Sequence, residues 1–225
     1  MNISTTQADV GAVGVTAEPS RATDARRVLV WDLPTRVGHW LLAGSFAVAW
    51  LTAEAESWRN VHLASGYLFG AVIAFRLVWG LVGTRYARFT EFVKSPRAAW
   101  QYLTSLLGPR PQHTIGHNPA GGWAIIALLV LGALSVVSGW LTFNEIGGEL
   151  FEELHEGASN AALAVVLIHL VGVATGSLVH RENLVASMFS GLKRGAAQAA
   201  IPSARGWAAL LLVLWAAALV TFLMR

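Results

Sequence analysis

Five apolar stretches, each close to the ~20 residues needed to cross ~30 Å of hydrocarbon, constrain this chain more than any other feature. They lie near 36–53, 61–83, 121–143, 155–179 and 206–224. Such a chain is expected to fold as an all-α integral membrane protein, since only helices and closed barrels satisfy their own backbone in lipid. The composition agrees. Of 225 residues, 55% are hydrophobic and 13% charged, and the mean hydropathy is +0.53; a soluble domain carries about 25% charged residues. A soluble enzyme, a disordered chain and a nucleic-acid partner are disfavoured. The net charge of +3 and pI near 9.8 come from basic residues that border the apolar spans, which membrane topology explains better.

Residues 1–30 lack an h-region and a small-residue cleavage site and read as a flexible cytoplasmic leader. In V-W-D-L-P-T-R-V-G-H-W (30–40), Asp32 suits a helix N-cap and Pro34 a first turn, where its missing N–H is harmless. The main membrane domain is expected over 31–192. Within its long connection, Phe92, Val93, Trp100, Leu103, Leu106 and Leu107 recur at helical spacing beside Lys94 and Arg97, predicting a membrane-surface helix at about 90–107. A linker over 193–205 leads to a fifth transmembrane helix over 206–225. Arg21, Arg26, Arg27, Arg36, Arg85, Arg88, Lys94, Arg97, Arg110, Arg181, Lys193, Arg194 and Arg205 fall on one side of this topology. The opposite side holds Arg59, Arg225 and an acidic loop with Glu145, Glu149, Glu152 and Glu153. The positive-inside rule then puts the N-terminus in the cytoplasm and the acidic loop and the C-terminus on the outer side.

Cysteine is absent, which removes disulfides, Cys-bound zinc, iron–sulfur clusters and covalent c-type haem. The three methionines fall at or beyond span ends, so histidine is almost the only ligand left for a metal in the membrane. Four of the seven histidines lie in or at the edges of spans: His39, His62, His155 and His169. His155 and His169 are fourteen residues apart on one helix. They return to within ~40° of one direction and stand ~21 Å apart. With the alternating topology, His39 matches His169 in depth at the inner side, and His62 matches His155 at the outer side. Two cross-helix imidazole pairs stacked across a bilayer are what two b-type haems need.

Gly66, Gly70, Gly132, Gly139, Gly172 and Gly176 on these helices could make room for a flat macrocycle, or could serve close helix packing. Arg76, the only charge well inside a span, falls on the His62 face at inner depth. It could bind a propionate of the inner haem, with Arg36 as a second candidate, or could snorkel to the interface. His113, His117 and His180 read as structural or interfacial, though an interfacial histidine could pass protons to a quinone.

The motifs V-W-D-L-P-T-R-V-G-H-W, H-L-A-S-G-Y (62–67), F-R-L-V-W-G-L-V-G (75–83), R-Y-A-R-F (85–89), G-H-N-P-A-G-G-W (116–123), H-E-G-A-S-N (155–160) and R-E-N-L (181–184) together resemble the bacterial cytochrome b561 group. That group is related to the b-type cytochrome subunits of nickel–iron hydrogenases, and the resemblance covers about residues 28–194. It implies a four-helix transmembrane bundle holding two b haems by histidines of spans 1, 2 and 4, at the positions of His39, His62, His155 and His169. It further implies electron passage between the quinone pool and a second redox partner. The added fifth helix, which carries no histidine, departs from the family core and suits either a partner subunit or a cover for the bundle.

The expected function is a di-haem membrane cytochrome relaying electrons between quinone and a periplasmic cytochrome c or a hydrogenase-like subunit, with no nucleophile or general acid required. The chain could form an oligomer. Two alternatives stand beside this reading. One is a self-contained superoxide:quinone oxidoreductase, which the acidic outer loop disfavours. The other is a small histidine-lined metal transporter, against which stand the lack of an internal repeat and of midplane histidines.

Overall fold

The computed structural model describes residues 26–225. Residues 1–25 of the expected leader lie outside the described residues. Its end is a strand: β1 (Arg26–Leu29) pairs antiparallel with β2 (Leu192–Gly195), Arg26 opposite Gly195 and Leu29 opposite Leu192. The boundary at residue 30 and the start of the linker at 193 therefore give way to a two-stranded ribbon. The rest of the expected linker is a strap with a single 3-10 turn at Ala197–Ala199, and its backbone is paired. Ile201 N–H donates to Leu29 O and Leu33 N–H to Ala204 O, each at 2.8 Å. The physical reason is that backbone groups at the membrane border gain by pairing with one another.

Helix α1 (Leu33–Leu51) opens where Asp32 accepts from the backbone of Thr35 at 2.8 Å, with Pro34 in the first turn. Next comes α2 (Arg59–Val82), preceded by a 3-10 turn at Glu56–Trp58. The surface helix expected over 90–107 is divided. A single turn, α3 (Phe89–Phe92), is followed by α4 (Pro96–Ser105), because Pro96 disfavours helix at Ser95, whose hydroxyl then caps α4. Asn118 caps α5 (Pro119–Phe143). Two glycines at positive φ, Gly147 and Gly148, make the turn into α6 (Glu149–Val179), which thus begins a turn and a half earlier than expected. Asn183 caps α7 (Leu184–Ser190), Gly191 ends it at φ +80°, and α8 (Gly206–Leu223) closes the chain.

Four helices among the described residues are long and apolar enough to cross a membrane: Glu56–Val82, Pro119–Phe143, Glu149–Val179 and Gly206–Leu223. Helix α1 has 19 residues but is not one of the four, since Arg36 and His39 dilute its first turns. Leu77, Val78 and Leu81 of α2, Val130 and Val137 of α5, and Leu167, Ile168, Leu170 and Val171 of α6 are exposed. Such a surface suits lipid and not water.

Helix α2 is central. It packs on α1 and α8 at one flank and on α5 at the other, while α5 packs along α6. The α2–α5 contact depends on small residues: a Cβ on Gly70 would stand 2.8 Å from Val136, and one on Gly132 2.9 Å from Ile73. Helix α8 covers α1 and α2, with Leu212 fully buried against Gly38 and Trp215 Nε1 donating to Ala71 O at 3.0 Å. Helices α1 and α6 share no packed interface, so the ring α1–α2–α5–α6 has one open side.

The starts of α1, α5 and α8 and the ends of α2 and α6 meet at one end, rich in Arg and Lys, here termed the basic end. The opposite, acidic end carries Glu54, Glu56, Glu145, Glu149, Glu152 and Glu153. The buried Asp32 organises the basic end: besides capping α1, it accepts from Trp79 Nε1 at 3.0 Å and Thr84 Oγ1 at 2.6 Å. Around it Val28, Val30, Trp31, Tyr86 and Ile201 form an apolar cluster. Asp32→Ala removes the cap and leaves Trp79 N–H unpaired in a buried site. It is expected to lower stability by about 2–3 kcal/mol, measured by denaturant unfolding in detergent.

Candidate cofactor site

The rings of His62 and His155 meet across the bundle at the acidic end, with centroids 6.1 Å apart and planes 81° to each other. Each is held by a carbonyl of a neighbouring helix. His62 Nδ1 lies 2.9 Å from Ala49 O in the last turn of α1, a carbonyl that also accepts longer bonds from Thr52 N and Oγ1 at 3.3 Å. His155 Nδ1 lies 2.8 Å from Ser135 O of α5, and Ser135 Oγ is bonded at 2.6 Å to Ser159. A carbonyl oxygen only accepts, so both Nδ1 atoms carry the proton and both Nε2 lone pairs are free. This is the arrangement that orients metal-binding imidazoles. Metal–imidazole bonds of about 2.0–2.1 Å place two rings on opposite sides of one metal about 6 Å apart, centroid to centroid. The observed spacing fits.

His155 reaches this position because residue 139 is glycine: a Cβ there would stand 2.7 Å from Nδ1 and 2.8 Å from Cε1 of the ring. The small residues thus divide by task. Gly139 seats a histidine, Gly70 and Gly132 bring α2 and α5 together, and Gly176 faces Leu184 at 3.2 Å. Gly66 and Gly172, one turn beyond His62 and His169 respectively, face nothing within 4 Å. Open space beside the imidazoles is what a flat macrocycle requires.

At the basic end, His39 of α1 and His169 of α6 lie within electrostatic reach of each other across the open side of the ring. His39 Nδ1 is buried without a hydrogen-bond partner, and its ring stands edge-on to Trp40 at 4.9 Å. Arg76 does not snorkel to water. Its guanidinium lies over the rings of Phe89 and Phe92 at 5.1 and 5.7 Å, and one of its terminal nitrogens is buried and unpaired. Arg36 donates to Phe189 O at 2.5 Å, bracing α7, and its Nε is likewise buried and unpaired. Two guanidinium groups with unmet donors in a nonpolar setting suit a carboxylate-bearing ligand.

The three remaining histidines separate. His113 lies 3.7 Å from Glu182, which also pairs with the buried Lys193 at 3.2 Å, and its ring stands 5.2 Å from that of His180. His180 in turn lies 3.5 Å from Tyr102 Oη of α4. Burial, followed by His113 and Lys193, lowers the pKa of His180 against the pull of Glu182. His117 is the residue that sequence reasoning undervalued. It sits in the loop before α5, with its ring 4.5 Å from that of Trp31 and 4.9 Å from that of Phe92. Asn118 and Pro119 mark a helix start, and that signal places His117 beside the bundle; nothing in the sequence indicates the aromatic sandwich. Among the described residues no group of three or more His, Cys, Asp or Glu side chains gathers as a metal site. Of the span histidines, His62 and His155 meet ring to ring, while His39 and His169 are linked electrostatically.

A family described as prokaryotic cytochrome b561 matches residues 30–191. The chain belongs to the prokaryotic cytochrome b561 family. Among its relatives, a probable Ni/Fe-hydrogenase B-type cytochrome subunit of Azotobacter chroococcum is 26% identical, over 73% of this chain and 87% of its own length. A subunit of the same description from Bradyrhizobium diazoefficiens is 23% identical, over 81% of this chain and 92% of its own. The probable Ni/Fe-hydrogenase 1 B-type cytochrome subunit of Escherichia coli K12 is 27% identical; the match spans 52% of this chain and 60% of that protein's length. No solved structure matches. Membership implies haem b and electron transfer in a membrane, and the four long apolar helices agree.

Burial, then Arg76, Lys193, His169 and His39, press the His117 pKa from 6.5 down to about 3. The folded protein therefore keeps this imidazole neutral while the unfolded chain protonates it below its ordinary value. Stability from this group is complete above about pH 6.5 and is lost as pH falls toward 3. The wild type is expected to lose more thermal stability than His117→Phe between pH 7.5 and pH 5, by melting in detergent at both values.

Proposed function

We propose that this cytochrome b561 holds two b haems, one between His62 and His155 and one between His39 and His169. It would carry electrons across the inner membrane between quinone and a partner redox protein. The observation that carries the reading is the His62–His155 pair: rings 6.1 Å apart, each with Nδ1 held by a carbonyl and Nε2 free. When bound, haem iron supplies a one-electron couple whose potential follows axial ligation, hydrogen bonding and burial. The chain's own task is orientation. Ala49 O and Ser135 O fix the tautomer and raise the basicity of the acidic-end ligands. Arg76, with Arg36 in second place, holds carboxylate side groups at the basic end, and apolar helices exclude water around both sites.

In this reading α1 crosses the membrane as well, which gives five crossings, with the N-terminus in the cytoplasm and the C-terminus in the periplasm. The basic end then faces the cytoplasm, in keeping with its Lys and Arg. The periplasmic surface, with Glu145, Glu149, Glu152, Glu153 and the exposed Glu156, favours a partner with a basic docking face, such as a cytochrome c. It repels an anion such as superoxide. The relatives' descriptions as hydrogenase subunits favour a hydrogenase-like donor as the other candidate partner. Metal transport finds no support in histidines that meet in twos near the ends of the bundle.

The absorption spectrum of the purified chain is expected to show two b-type haems per polypeptide. His62→Ala or His155→Ala should each remove the same one, and His39→Ala or His169→Ala the other. Arg76→Leu is expected to lower the occupancy of the basic-end haem or its potential and to leave the acidic-end haem unchanged. A wild-type chain without haem, or ligand variants that do not group in these twos, would refute the assignment.

A further inference from the structure

The basic end holds more unmet donors than the two arginines. His117 Nδ1 is closed off from solvent and has no hydrogen-bond partner, like the unpaired nitrogen of Arg76. The two residues flank the same side chain: the Phe92 ring lies 4.9 Å from the His117 ring and 5.7 Å from the Arg76 guanidinium. His117 comes from the loop before α5 and Arg76 from α2, so the two donors approach one region from different elements. His39 and His169 lie within electrostatic reach of His117 as well.

The loop cannot easily turn this ring elsewhere. Gly116 packs so closely on Tyr86 that a Cβ there would stand 2.7 Å from Cδ1, Asn118 is committed to capping α5, and Trp31 covers the ring. Among the described residues, the buried or half-buried acids near this end are already engaged. Asp32 accepts from Thr35 N, Trp79 Nε1 and Thr84 Oγ1, and Glu182 is paired with Lys193 and His113. A rigid buried ring nitrogen without a partner carries a desolvation cost unless a ligand meets it, and in the tautomer with the proton on Nδ1 it needs an acceptor. The charge around it is positive, so the acceptor that fits is an anion.

We propose that His117 is a positioning residue that donates from Nδ1 to a carboxylate of the cofactor held by His39 and His169, sharing that group with Arg76. The inference rests on the di-haem reading and extends it to a residue that is no axial ligand. A neutral donor at the carboxylate compensates part of its charge, and so favours the reduced state of the adjacent iron.

Redox titration of the full-length chain in detergent, followed by haem absorption, tests this with wild type, His117→Phe and His117→Gln. Phenylalanine keeps an aromatic ring between Trp31 and Phe92 and removes the donor; glutamine retains an N–H. The expected result for His117→Phe is an unchanged haem content and a fall in one potential only. That fall amounts to up to about tenfold in the reduction equilibrium, or 59 mV for a one-electron couple. His117→Gln is expected to recover part of it. Two haems with both potentials unmoved in His117→Phe would overturn the proposal and leave the ligand assignment intact. Equal falls at both haems without recovery in His117→Gln would also overturn it, as general loosening. Fewer than two haems in the wild type would overturn both readings.

Discussion

Asp32 ties the start of α1 to the end of α2 and the segment just beyond it, 47 to 52 residues further along the chain. One oxygen takes the free amide of the first turn of α1; the other takes the indole of Trp79 near the end of α2 and the hydroxyl of Thr84 beyond it. A buried carboxylate is tolerated only when its lone pairs are filled, and filling them sets the depth of α1 against α2. That depth puts Ala49 opposite His62, so the same interaction bears on the imidazole at the far end of the bundle. Among the described residues no acid forms an ion pair with Arg76, one turn before Trp79.

The two ends of the bundle are finished differently. At the acidic end both imidazoles are tied by carbonyls and their spacing is already that of a shared metal. At the basic end side-chain nitrogens of Trp31, His39, Arg36, Arg76 and His117 are buried without a partner among the described residues, while the surrounding ribbon and strap are paired through their backbone. In a family of haem proteins this contrast has a simple physical sense. Under the proposed reading one end would present mainly ligands, and the other ligands together with donors for an anionic edge. The difference also gives the two ends of the bundle different electrostatic surroundings, which under the proposed reading would set two haem potentials apart.

Much of the architecture was legible in the sequence, because hydrocarbon imposes its own arithmetic. Apolar length located α2, α5, α6 and α8 to within a few residues at most of their ends, and the Asp32 and Pro34 signals marked the start of α1 correctly. The depth matching of His62 with His155 followed from alternation of the spans. Less legible were the polar segments between spans. The ribbon of 26–29 with 192–195 joins residues more than 160 positions apart, and neither strand has a pattern that names its partner. The surface helix was read as one piece because its apolar spacing continues through Pro96, while the backbone breaks there.

By itself, then, the sequence determined a multi-pass helical membrane protein that carries histidines in its apolar spans and no cysteine, since span length and residue composition are local properties. Tertiary structure alone decided which carbonyl holds each imidazole, which glycines seat a ring and which pack helices, and that His117 is buried beside Arg76. Those outcomes depend on the rotation of each helix about its axis and on loop packing, which are set by contacts between residues distant in the chain.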